Sequence, residues 1–241
     1  MERPARCRST CTASANDART LHLRASTLQA GMSTQELLLV RHGETEWSLS
    51  GQHTGRTDIP LTENGRVAAR RLAPLLAGRT FALVLTSPLQ RARETCELAG
   101  LGSQARPDAD LLEWDYGVYE GRTPQLIRAE RPTWMIFTDG CPGGETPLQV
   151  GERVDRVIAK VRAVTGDVAL FAHGHVLRVF AARWLGLPPS SGSHFLLSTA
   201  TVSVLSSYHG IAAIKHWNAP LMSPGPQVDG SADRGAGDDE Q

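Results

Sequence analysis

The chain has 241 residues, 41% of them apolar and 21% charged, with 25 basic and 25 acidic side chains that leave no formal net charge. Such a chain is globular and long enough to bury a substantial core. The charge balance argues against nucleic acid or an acidic membrane surface as the main partner, and no apolar run approaches the roughly 18 residues that a membrane-spanning helix needs.

Residues 1–33 hold Arg3, Arg6, Arg8, Arg19 and Arg24 against Glu2 and Asp17, among small polar residues. Without a continuous apolar stretch they do not read as a secretory signal. They are expected to be a disordered extension, with Met32 available as a start just before the first strand; an arginine-rich transit leader is the alternative. Cys7 and Cys11 form a C-x3-C pair, but no second pair supports a metal site. The thiols are therefore read as reduced and non-catalytic, and the protein as cytoplasmic.

Glu36–Val40 reads as a short buried strand. The stretch from Thr62 to Gly78 reads as a helix capped by Thr62, which Pro74 kinks or divides. Phe81–Thr86 is a second strand. A helix over 87–99 follows, with Ser87 as cap and Pro88 at the first position. Residues 114–145 are expected to form a small cap. Thr146, Pro147 and Gln149 then open the strongest helix, with a capping box and apolar side chains at Val150, Val154, Val157, Ile158, Val161 and Val164. Asp167–Ala172 is a third strand, followed by a helix from Gly174 to Leu185. Thr201–Ser206 and Ile211–His216 flank Tyr208-His209-Gly210 as a hairpin near a sheet edge. The tail after residue 220 is rich in Gly, Pro and Asp and is expected to be disordered. Short aliphatic strands alternating with helices predict an α/β fold: a mainly parallel sheet with helices on both faces, over residues 34–220.

Chemistry-bearing residues fall at predicted strand ends. "LLLVRHGETEW" leaves its strand through Arg41 and His42, and "DVALFAHGH" through His173, Gly174 and His175. Arg91 lies on the helix after the second strand. Any one of these alone is more often a surface turn or a solvated charge. Together they suit phosphoryl chemistry. Arginine matches phosphate with a planar fork of donors. A histidine held by one nitrogen attacks phosphorus with the other. The C-terminal ends of parallel strands form the usual ligand crevice.

These segments resemble the histidine phosphatases of the phosphoglycerate-mutase-like superfamily. "LVRHGETEW", "LTSPLQRARET", "LLEWDYGVYEG", "CPGGETPLQVGERV" and "LFAHGHVLRVF" match that family's stretches in its order, across about residues 36–218. The resemblance implies a three-layer sandwich. It also implies a phosphorylated nucleophile at His42, a proton-donating acid at Glu113, a second catalytic histidine at His173, and a phosphate pocket lined by Arg41, Arg91 and Ser87. Ser48, Thr54, Gly174 and His175 are further candidates for phosphate or substrate contact. Ser48 stands where the family often has asparagine, and His175 where relatives often have a small or polar residue. His175 can equally be a cap or a surface histidine.

The implied reaction is hydrolysis of a small phosphomonoester through phosphohistidine. No cofactor is expected, and no metal, because no cluster with ligand spacing accompanies these residues. The expected partners are a small phosphorylated substrate and at most a second copy of the chain. Only 60 positions separate Glu113 from His173, fewer than in the glycolytic mutases, which favours water as acceptor. A 2,3-bisphosphoglycerate-dependent mutase is the alternative, and an inactive binding member a third. Within the cap, Arg122, Arg128, Arg131, Trp134, Met135 and Phe137 are expected to meet the leaving group.

Overall fold

The computed structural model describes residues 35–219. The expected disordered ends, Met32 and the Cys7–Cys11 pair lie outside the described residues.

In chain order the strands are β1 (Leu37–Arg41), β2 (Phe81–Thr86), β3 (Ala105–Pro107), β4 (Asp167–Ala172), β5 (Val202–Tyr208) and β6 (Ile211–Ala219). The helices are α1 (Glu46–Ser50), α2 (Glu63–Arg70), α3 (Ala73–Leu76), α4 (Gln90–Leu98), α5 (Pro124–Glu130), α6 (Ile136–Asp139), α7 (Pro147–Arg162) and α8 (Gly174–Trp184). The strands make one six-stranded sheet in the order β3-β2-β4-β1-β5-β6. β3, β2, β4 and β1 run parallel, whereas β5 pairs antiparallel with β1, and β6 antiparallel with β5. The predicted α/β sandwich and edge hairpin are therefore present, with both hairpin strands longer than expected.

The centre of the sheet is buried on both faces because β1 and β4 are apolar between their polar ends. Side chains alternate between faces. Leu37 and Leu39 join Val168 and Leu170 in a core covered by α7 and α8. Leu38 and Val40 join Ala169 and Phe171 in a second core under α3 and α4. On α7, Val150, Val154, Val157, Ile158 and Val161 are all buried, each contributing roughly 1.5–3 kcal/mol by leaving water. The capping box at Thr146 and Gln149 forms as predicted. Val164 lies past the end of α7 but still packs on this core.

Two local expectations need correcting. The Thr62–Gly78 segment is two helices, and the break falls ahead of Pro74, which sits in the first turn of α3. Pro tolerates that place because it has no N–H to leave unpaired. Ser87 does not cap α4. The helix starts at Gln90 after Leu89, without a side-chain cap on its N-cap residue. Asp58, from a distant loop, accepts the Gln90 N–H at 2.8 Å instead.

Candidate active site

Register explains why residues far apart in sequence meet. Arg41 pairs with Ala172 across β1 and β4, and Thr86 with Phe171 across β2 and β4. The ladders continue one step further: the His42 N–H donates to Ala172 O and the Ser87 N–H to Phe171 O, each at 2.9 Å. His42, Ser87 and His173 therefore leave three adjacent parallel strands side by side.

His42 is buried, with its ring centroid 5.1 Å from that of His173. Its Nδ1 lies 2.7 Å from Gly43 O. A carbonyl only accepts, so Nδ1 carries the proton and Nε2 keeps its lone pair. Burial, and then the positive charges of Arg91 and Arg41, hold this imidazole well below the usual histidine range. It is neutral and competent as a nucleophile. Gly43 is required here because a Cβ would stand 2.6 Å from Gly65 O, where α2 passes beneath.

His173 is fully buried, and both its ring nitrogens have protein partners. Arg91 Nε donates to Nδ1 at 3.2 Å, so Nε2 bears the proton and donates to Ser87 Oγ at 2.7 Å. Ser87 thus fixes His173 and is not among the cleft-lining residues. Burial, followed by the Arg91 charge, keeps His173 neutral. Arg91 has no exposed surface. Its remaining nitrogens donate to Thr57 O at 3.0 Å, Thr54 O at 3.1 Å and Gly55 O at 2.9 Å. The expected phosphate fork thus spends its donors on the 54–57 loop and His173, and Arg91 is not among the cleft-lining residues.

Arg41 is placed differently. One Nη donates to Leu197 O, while its buried Nε has no partner. The guanidinium lies against Gly174, where a Cβ would come within 3.3 Å of Cζ and Nε. Glycine at 174 therefore lets this cation lie flat beside the start of α8.

Glu113 is buried at the same helix terminus. Its Oε1 accepts N–H bonds from Trp114 at 2.9 Å and Val176 at 3.0 Å, and its Oε2 accepts one from His175 at 3.0 Å. α8 has no cap from its own N-cap residue, His173. Glu113, 62 residues before His175, supplies that cap from a distance. Three of about four acceptor positions of the carboxyl group are used, which leaves one, on Oε2, for a proton. The segment carrying Glu113 is itself held by Arg153 of α7, which donates to Asp110 O at 2.9 Å and Leu112 O at 2.6 Å.

These residues border a cleft of about 220 Å³, lined by Arg41, His42, Glu113, Ser48, Thr54, Gly174 and His175 together with Trp47, Gln52, His53, Tyr116, Pro124, Arg178 and Leu197. Ser48 lines it, but its hydroxyl serves the α1 capping box by accepting the Thr45 N–H at 2.9 Å, and it donates to Thr45 O at 2.8 Å. Thr54 contributes its carbonyl to Arg91. His175 Nδ1 lies 2.6 Å from the Tyr116 hydroxyl. Burial, and then Arg178, hold His175 well below the usual range, while burial raises Tyr116 well above its own. His175 is thus neither a helix cap nor a surface residue.

Sequence reasoning missed Arg178 and His53. Arg178 lies four residues after Gly174 on α8, hence on the same helix face; that spacing was the available signal. It is held by Gly192 O and Ser193 O and stacks 4.5 Å over Phe137. His53 stacks on Tyr116 at 4.5 Å, and burial, then Arg128, lowers its pKa to about 4. Conversely, Arg122, Arg128, Arg131, Trp134, Met135 and Phe137 do not line the cleft. Arg122 pairs with Glu130, Arg131 donates to Tyr119 Oη and Arg128 to Trp134 O. Trp134 and Phe137 are core residues.

Comparison with known proteins gives the family and the fold. The model of the histidine phosphatase superfamily (branch 1) matches residues 37–220. An acid phosphatase of Mycobacterium tuberculosis is 40% identical over 185 residues, covering 75% of this chain and 91% of that protein. A sedoheptulose 1,7-bisphosphatase of Saccharomyces cerevisiae is 40% identical over 187 residues, covering 64% and 69% respectively. The solved structure of an open-reading-frame product from Mycobacterium tuberculosis superposes with a TM-score of 0.75 at 38% identity, covering 78% of this chain and 99% of that one. Among the described residues, no helix is long and apolar enough to cross a membrane. The chain belongs to the histidine phosphatase superfamily and is a hydrolase of that family.

Proposed function

We propose that this enzyme hydrolyses small phosphomonoesters through a phosphohistidine on His42, without a metal. The observation that carries the reading is the state of His42: a neutral ring, tied at Nδ1 to Gly43 O, with Nε2 free at the cleft. Nε2 attacks phosphorus, and the bond to the leaving oxygen breaks. Arg41, whose buried Nε lacks a partner, faces the phosphoryl oxygens as their charge redistributes. Arg91 adds its field from below, and His173, fixed between Arg91 and Ser87, keeps a neutral wall behind the nucleophile. Glu113 gives the proton on Oε2 to the leaving oxygen. The carboxylate then takes a proton from water, whose oxygen attacks phosphorus and frees His42 and phosphate.

Around the leaving group stand Tyr116, His175, Arg178 and Gln52, a set suited to a hydroxylated, anionic metabolite. Sugar phosphates and phosphoglycerates are the candidate substrates, alongside the broader range of an acid phosphatase. In this reading residues 34–220 are the catalytic domain, and 114–145 its cap, which brings Tyr116 and Pro124 to the cleft. The protein works in the cytoplasm on a small substrate, without nucleic acid, as a monomer or homodimer.

A phosphate-release screen over sugar phosphates, phosphoglycerates and aromatic phosphates, in the presence of a chelator, tests the proposal. Release from at least one class is expected. Conversion of 3-phosphoglycerate that depends on 2,3-bisphosphoglycerate, without net phosphate release, would assign a mutase instead.

A further inference from the structure

Glu120 lies outside the cleft and takes no part in the steps above, yet its carboxylate grips the loop that grips Arg91. The Gly55 N–H donates to Oε1 at 2.9 Å and Oε2 at 3.1 Å, and the Thr57 N–H to Oε1 at 3.1 Å. Arg91 donates from the other side to Thr54 O, Gly55 O and Thr57 O. Thr54 O and the Gly55 N–H belong to one peptide group. That peptide is polarised at both ends, by a carboxylate at its N–H and a guanidinium at its carbonyl, and each bond strengthens the other. Gly55 permits the approach: a Cβ there would lie 2.5 Å from Glu120 Oε2 and 2.6 Å from Trp114 O.

The chain of contacts continues past Arg91. With its Nη groups pinned by the loop, its Nε points at His173 Nδ1, and this donor forces the His173 proton onto Nε2, facing Ser87. We propose that Glu120 is a positioning residue: through the 54–57 loop it orients Arg91 and so sets the tautomer of His173. The idea rests on the assignment of Arg91 and His173 to the phosphoryl step. Among the described residues no other contact holds His173 Nδ1, so loosening the loop frees that nitrogen while Nε2 keeps only Ser87 Oγ, a hydroxyl that can donate as well as accept.

The test uses the full-length chain with 15N-labelled histidine, as Glu120→Ala and Glu120→Gln. In the parent protein, long-range 1H–15N spectra should show His173 protonated at Nε2 and bare at Nδ1, assigned by a His173→Gln control. Glu120→Ala should mix or reverse that pattern and lower kcat on p-nitrophenyl phosphate roughly 10- to 100-fold while moving KM less than about threefold, as for misplacement of a group acting in the transition state. Glu120→Gln keeps the shared Oε1 acceptor and should retain the parent tautomer and most of the rate. Thermal unfolding establishes that both variants are folded. An unchanged His173 spectrum in Glu120→Ala overturns the relay whatever the rate does, as does a Gln variant that behaves like the Ala variant. A changed spectrum with unchanged kcat upholds the relay and instead refutes the catalytic placement of His173.

Discussion

Glu113→Gln separates the capping contacts that the structure gives this carboxyl group from the proton delivery proposed for it. The first is structural. Oε1 accepts from Trp114 and Val176, and Oε2 from His175. A glutamine that keeps its oxygen at the doubly used position turns its NH2 toward the His175 N–H. One buried donor is then left unpaired at the start of α8, which costs roughly 1–3 kcal/mol. For a chain of this size that corresponds to a thermal midpoint lowered by roughly 2–12 °C. The second task is proton delivery, typically worth roughly 10²–10⁴-fold. Below the variant's midpoint the two effects are read independently. Turnover of a sugar phosphate, whose alkoxide leaves poorly, should fall within that range. The rapid burst of nitrophenolate from p-nitrophenyl phosphate should survive, because that leaving group hardly needs a proton. Equal losses in the burst and in sugar-phosphate cleavage would refute the role of Glu113 as acid and point to misplacement of α8.

Two further outcomes follow from buried groups. Gly43→Ala puts a methyl 2.6 Å from Gly65 O; overpacking of this kind costs roughly 1–3 kcal/mol and moves His42, so both thermal midpoint and turnover should drop, and parent-like values in both would contradict the packing argument. His53 is held neutral when folded, its pKa lowered from 6.5 to about 4. The unfolded chain therefore takes up the proton first, and stability present above pH 6.5 is lost as pH falls toward 4, on the order of 3 kcal/mol for this group. His53→Phe keeps a ring on Tyr116 and should draw the unfolding midpoints at pH 7 and pH 5 closer together; an unaltered gap would count against a buried neutral His53.

The parallel core and its site were legible where signals are local. Strands β1, β2 and β4 are short apolar runs, and each ends in or beside residues with evident chemistry: Arg41-His42, Ser87 and His173. The α7 capping box is written in three residues. What escaped has no such signature. β3 is three residues, mostly exposed, and exists only as a partner to β2. In the cap, Thr123-Pro124 repeats the Thr146-Pro147 start signal, and Thr123 does accept the Leu126 N–H, but α5 lacks the long apolar periodicity that made α7 plain. The true partners of Ser87 and Arg91 were illegible because they depend on contacts 30 to 90 residues away in the chain. The cap arginines were misjudged for a related reason: residue type alone does not say whether a guanidinium faces a cleft or a neighbouring carbonyl.

The central claim is that His42 carries the phosphoryl group. Brief exposure of the enzyme to substrate bearing labelled phosphate, followed by a quench in base and peptide mapping, tests it most directly. The account predicts an acid-labile, base-stable label on the peptide containing His42, absent from His42→Ala, together with loss of turnover in that variant. A His42→Ala enzyme that keeps its full catalytic rate, or a label that maps to another residue, would contradict it.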